Sequence, residues 1–142
     1  MDFTFNEEQK MVIDGARRFA REKLAPFAAE LDEKAEVNLK AIKELGKLGY
    51  LGMTVPEEYD GSNAGVVAYA ASMIEFSKAD AGAAVTVSVQ NSLVNDAILA
   101  FGTDKQKKDF LPKLASGEWI GCFTLTEANA GSDPGSLRAA AV

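Results

Sequence analysis

Histidine is missing from all 142 residues, and cysteine occurs once, at Cys122. Without histidine, no histidine-dependent catalytic triad and no histidine-ligated metal site can be built from these residues. A single cysteine excludes an internal disulfide and fits a reducing compartment. Basic clusters are also lacking. The net charge is −6 with a pI near 4.7, which argues against nucleic acid as a partner, because nothing is grouped to neutralise phosphates. There is no secretory apolar core, no Arg-rich presequence and no long apolar span, so a cytoplasmic location without membrane insertion is the expectation. Repeats and low-complexity segments are absent too.

What remains is an ordinary globular composition, 47% apolar and 25% charged, with enough chain to bury about two-thirds of its surface. Asn6 and Gln9 form a capping box, and Met11, Val12, Ala16, Phe19, Ala20 and Leu24 follow at helical spacing. A helix is predicted over 6–24, bounded by Pro26. The charged stretch from Ala28 to Asn38 reads as a broken helix or loop. A second helix is predicted over 39–48, with Leu39, Ile42, Leu45 and Leu48 on one side and Gly49 as its stop. Tyr50 to Val55 is apolar and extended in character, and Pro56-Glu57-Glu58-Tyr59-Asp60-Gly61-Ser62 is dense in turn formers.

A third helix is predicted over 66–78, with Val66, Val67, Ala70, Met73, Ile74 and Ser77 inward, ended at Ala81-Gly82. The most apolar stretch, 84–101, is ambiguous. Val85, Val87 and Val89 alternate as in a strand, whereas Leu93, Val94, Ala97, Ile98 and Phe101 favour a buried helix. Gln90-Asn91-Ser92 interrupts it as a polar edge. Thr103 with Gln106 caps a fifth helix, predicted over 104–115.

The last segment carries the chemistry. Trp119 to Leu125 is apolar and β-branched and reads as a buried strand containing Cys122 as an inert thiol. It runs into small residues around Gly131, with hydroxyls at Thr126 and Ser132 and carboxylates at Glu127 and Asp133. Such a loop lets a flat, polar-edged ligand come close to backbone donors. An ordinary turn after a strand is the plain alternative. One strand after several helices has no ladder partner, and its backbone groups need one. Its partners are therefore expected beyond Val142.

Leu125-Thr126-Glu127, two residues, then Ala130-Gly131-Ser132-Asp133 resembles the first signature of the acyl-CoA dehydrogenase family. Phe101-Gly102-Thr103, Gln106-Lys107, Phe110-Leu111-Pro112 and Gly117-Glu118 resemble the run leading into it, and Pro56 to Gly61 resembles the family's Pro-Glu-Glu-Tyr-Gly-Gly loop. This chain departs at Ala128, where the family has Pro, at Thr124, where it has Ala, Cys or Gly, and at Asp60, where it has Gly.

The resemblance implies a mainly α fold: an N-terminal helical domain over 1–117, then the first strand of a middle β domain, incomplete, over 118–142. It implies FAD as cofactor, contacted by Phe123, Thr124, Leu125, Thr126, Glu127, Ala128, Asn129, Ala130, Gly131 and Ser132. The Thr126 hydroxyl would bond the isoalloxazine edge, against the alternative of a solvent-facing strand hydroxyl. Ser132 would meet the pantetheine arm of acyl-CoA, against the alternative of a turn-forming serine. Leu93 and Val94 would line the acyl chain, against ordinary core.

The implied reaction is α,β-dehydrogenation of an acyl-CoA thioester, with electrons passed to an electron-transfer flavoprotein by a homodimer or homotetramer. The family's general base is a Glu in a C-terminal domain, so no catalytic residue is expected here. Glu127 is expected to orient the loop, and Asp133 to be structural. These 142 residues alone are expected to be inactive. Alternatives are an acyl-CoA oxidase or flavin monooxygenase of the same fold, or a non-catalytic helical interaction module.

Overall fold

The computed structural model describes residues 4–140; the outermost residues of both expected domains, 1–3 and 141–142, lie outside the described residues. Helix α1 (Glu7–Phe19) opens with the expected capping box, in which Asn6 accepts from the Gln9 N–H and Gln9 accepts from the Asn6 N–H. Pro26 does not end it. A π-helical turn, Ala20–Leu24, widens the ladder so that the Ala25 N–H bonds the Ala20 carbonyl. The proline then falls in the first turn of α2 (Ala25–Glu33), where a missing N–H costs no bond. None of the α2 side chains is buried.

Helix α3 (Leu39–Lys47) ends in a Schellman motif. The Tyr50 N–H bonds the Leu45 carbonyl, the Gly49 N–H bonds the Gly46 carbonyl, and Gly49 takes φ +84°. Its buried face is Ala41, Ile42, Leu45 and Gly46; the leucines at both ends, Leu39 and Leu48, are exposed. Met11 at the start of α1 is likewise exposed, and Ile13 is buried in its place.

Helix α4 (Gly65–Ala79) packs along α1 through Ala68, Ala71, Ser72 and Phe76. The opposite face was expected from the sequence, yet Val66 is 74% exposed and Val67 and Ile74 are exposed as well. The reason is Glu75. It lies towards α1, where Arg17 Nε reaches its carboxylate at 3.2 Å and holds its carboxyl below the ordinary range. A charge satisfied across a helix interface makes the true inner face look polar.

The 84–101 stretch is helical, as length favoured. It comprises α5 (Ala81–Ser88), capped by Asp80, a π-helical segment Val89–Asn95, and α6 (Asp96–Phe101). Its burial inverts the apolar reading. Gln90, Asn91 and Asn95 are buried, whereas Leu93 is exposed and Phe101 is 89% exposed. Asn91 and Asn95 serve Tyr50–Val55, a largely buried stretch that forms no strand. Asn91 Nδ2 donates to the Tyr50 carbonyl at 2.9 Å, its Oδ1 accepts from the Met53 N–H at 2.8 Å, and Asn95 Nδ2 donates to the Leu51 carbonyl at 2.8 Å. Backbone that cannot pair in a sheet is satisfied by amides from the helix above it.

The following loop has its own constraint. A Cβ at Gly61 would stand 1.9 Å from the Val55 carbonyl oxygen, so glycine is obligatory there. Asp60, at the departure from the family pattern, takes the left-handed conformation itself, φ 59°, which aspartate tolerates. Helix α7 (Asp104–Ala115) begins at the Thr103–Gln106 capping box.

The expected strand after α7 does not form. Residues 120–126 carry no regular secondary structure, and the pairing in this region is one isolated bridge between Glu127 and Ala130. Among the described residues no neighbouring strand is available, so no ladder can close. The run is consequently exposed, and so is Cys122, in place of the buried thiol expected. No helix among the described residues is long and apolar enough to cross a membrane.

Candidate functional site

The run from Trp119 to Ser132 is anchored from behind by one buried side chain. Gln90, only 1% exposed, sits in the π-helical segment. Its Nε2 donates to the Leu114 carbonyl at 2.9 Å and the Trp119 carbonyl at 3.2 Å, and its Oε1 accepts from the Gly121 N–H at 2.8 Å. One carboxamide thereby joins the end of α7 to the start of the run. Val94, one turn further along the same segment, presses on Gly121: a Cβ there would lie 2.5 Å from Val94 Cγ1. Trp119 is braced by Phe110, ring centroids 6.1 Å apart, and by Lys113, whose Nζ lies 4.3 Å from the indole centroid.

Beyond Gly121 the chain leaves the helical body. Phe123 is 49% exposed, and Thr124, Leu125 and Thr126 are also exposed. It then turns back on itself. The Glu127 N–H bonds the Ala130 carbonyl at 2.8 Å, the Ala130 N–H bonds the Glu127 carbonyl at 3.3 Å, and Ala128 and Asn129 form the tip. Ala130 is buried and Gly131 lies beside the Thr126 methyl, 3.5 Å from where a Cβ would stand. Among the described residues the hydroxyls of Thr126 and Ser132 have no hydrogen-bond partner.

The two carboxylates turn to the backbone. Glu127 Oε2 accepts from the Arg138 N–H at 2.9 Å and Oε1 from the Ala139 N–H at 2.8 Å. These two donors hold its carboxyl below the ordinary carboxylate range. Asp133 accepts from the Gly135 N–H at 3.2 Å and from the Ser136 hydroxyl. Neither carboxylate stands free to take a proton from a ligand.

Of the two residues predicted to line an acyl chain, the structure brings one to the run. Val94 is in contact with the run at Gly121, and Leu93 is exposed beside it in sequence. Reading the sequence missed Gln90, which looked like a polar helix edge. The available signal was a pair of amides interrupting an otherwise apolar helix, together with Asn95, an i, i+5 relation that shares a face only in a π segment.

The profile described as "Acyl-CoA dehydrogenase, N-terminal domain" matches residues 6–118. The chain belongs to the acyl-CoA dehydrogenase family. It is 42% identical over 136 residues to an acyl-CoA dehydrogenase of Bacillus subtilis (strain 168), covering 96% of this chain and 36% of that one. Among solved structures it is similar to a chain in the structure described as electron transferring flavoprotein of Acidaminococcus fermentans, with TM-score 0.92, 39% identity, and coverage of 96% of this chain and 36% of that chain. It is also similar to a glutaryl-CoA dehydrogenase of Mycobacterium smegmatis in complex with FADH2, with TM-score 0.89, 34% identity, and coverage of 94% and 34%. The chain spans about a third of the length of these acyl-CoA dehydrogenase relatives. The matched profile covers the helical body and ends just before the run from Trp119 to Ser132.

The donor set fits a flavin. A planar ring with hydrogen-bonding edges needs small residues beneath it, hydroxyl or amide donors at its rim and no competing internal partners. Ala128, Gly131, Thr126 and Ser132 supply these features on an exposed surface.

Proposed function

We propose that this chain supplies the flavin floor and part of the acyl wall of an FAD-dependent enzyme that converts an acyl-CoA thioester to its trans-2-enoyl-CoA. The observation that carries the reading is the division of the 119–132 run. Its inner side is held by Gln90, Val94 and Glu127 bonds, while the Thr126 and Ser132 hydroxyls are left unused on the outer side. When bound, FAD would accept the substrate's β-hydrogen as hydride. Residues 123–132 hold the ring, with Thr126 donating to its edge, where fixed donors favour the charge that develops on reduction. Ser132 binds the pantetheine arm, and Leu93 and Val94 line the acyl chain.

The α-proton goes to a carboxylate base outside these residues, as the family resemblance implies. Glu127 is unsuited to that task, since both its oxygens are occupied by backbone donors. Electrons pass to an electron-transfer flavoprotein; the likeness to the Acidaminococcus fermentans structure supports that partner.

Anaerobic mixing of excess acyl-CoA with an FAD-loaded enzyme that joins these residues to the carboxylate base tests the reading. Flavin absorbance should bleach with enoyl-CoA formed in equal amount. Flavin that stays oxidised with short, medium and long acyl chains would overturn it.

A further inference from the structure

The signature glutamate Glu127, half-buried, has four hydrogen bonds, and each carboxylate oxygen takes one. Its backbone N–H and carbonyl pair with Ala130, and its two carboxylate oxygens take the adjacent N–H groups of Arg138 and Ala139, eleven and twelve residues on. We propose that Glu127 is a positioning residue for the flavin: it closes residues 127–139 into a fixed loop and so sets the height and tilt of Ala128 to Ser132 under the ring. This inference rests on the function proposed above.

The chemistry calls for a carboxylate. Two neighbouring N–H donors need two acceptor oxygens on one planar group, and an ionised carboxylate offers only acceptors. Glutamine would satisfy one donor and turn its own NH2 against the other. A charged acceptor also gives the stronger bonds. Within the loop Asp133 fixes the return turn through Gly135 and Ser136, so the backbone between the two ends has little freedom left. Without the Glu127 tie, the segment carrying five of the proposed flavin contacts would no longer be closed onto residues 138–139. Ordering it would then fall to the ligand, which weakens binding.

The test compares wild type with Glu127→Gln and Glu127→Ala in an FAD-loaded enzyme that joins these residues to the carboxylate base. Its readouts are amide hydrogen exchange, the FAD Kd from fluorescence, and the visible circular dichroism of the bound flavin. We expect exchange at Arg138 and Ala139 to accelerate about tenfold or more in the alanine variant, with a smaller rise for glutamine, because losing an exchange-protecting bond raises the opening constant directly. FAD should bind about tenfold more weakly in Glu127→Ala, and its visible dichroism should change shape. Unchanged exchange at the two amides would overturn the proposal. So would accelerated exchange with wild-type FAD affinity and dichroism, since the loop would then have no bearing on the flavin. A base role would instead leave affinity and dichroism intact and abolish bleaching by acyl-CoA, which also overturns it. If the alanine variant fails to fold, judged by exchange across α1 to α7, the glutamine variant decides by the same readouts. A wild-type protein that binds no FAD defeats the proposed function as well; wild-type binding with indifferent variants defeats this inference alone.

Discussion

Thr126 is the residue whose role can be isolated most cleanly. Its hydroxyl is exposed and has no partner among the described residues, while its methyl rests beside Gly131. Thr126→Val keeps the β-branched shape and that contact and removes only the donor. A hydrogen bond to a charged group contributes about 1.5–3 kcal/mol, and about 1.4 kcal/mol is a factor of ten in rate. In an enzyme that joins these residues to the carboxylate base, we expect flavin reduction by acyl-CoA to slow about ten- to a hundredfold, with FAD occupancy and folding stability retained. Stopped-flow bleaching measures this, and an unchanged rate at full FAD occupancy would make Thr126 a plain loop residue. At this scale the sequence was most readable. The signature is legible in order and spacing, and the loop role expected for Glu127 is met by its bonds to the Arg138 and Ala139 N–H groups; the flavin and substrate roles of Thr126 and Ser132 stand as proposals. Gln90 was not legible, because its function lies in three backbone groups far along the chain.

At the level of elements, helix positions were legible and helix faces often were not. Capping boxes at Asn6 and Thr103 and the stop at Gly49 are local, and the chain forms them where the residues direct. The two π-helical segments are non-local in origin. One carries Pro26 into α2, and the other turns Gln90, Asn91 and Asn95 inward. A period of 3.6 misplaces every residue beyond such a segment, which is why Leu93 and Phe101 looked like core. It also hid the purpose of Asn91, which replaces sheet partners for Tyr50 and Met53. Asn91→Ala strands a buried carbonyl and a buried N–H, each costing about 1–3 kcal/mol. We expect a loss of about 2–5 kcal/mol, read as a lower urea midpoint with an unchanged slope. A loss below about 1 kcal/mol would mean that water or backbone repacking replaces the amide.

Over the whole molecule, the helical body serves as a frame that presents one exposed run. The strand expected at 119–125 is absent for the reason the sequence itself contained: a lone extended segment has nothing to pair with among these residues. What the frame does supply is a fixed back to the run through Gln90 at Gly121, while Glu127 closes the segment on itself at Arg138 and Ala139. That architecture makes the central claim, that residues 123–132 lie against the flavin, directly measurable. Amide hydrogen exchange should be followed in the FAD-loaded protein and in the same protein stripped of flavin. Protection on FAD binding should appear within 123–132, with α1 and α4 little changed. Equal exchange of 123–132 in the two forms, with protection elsewhere, would contradict it.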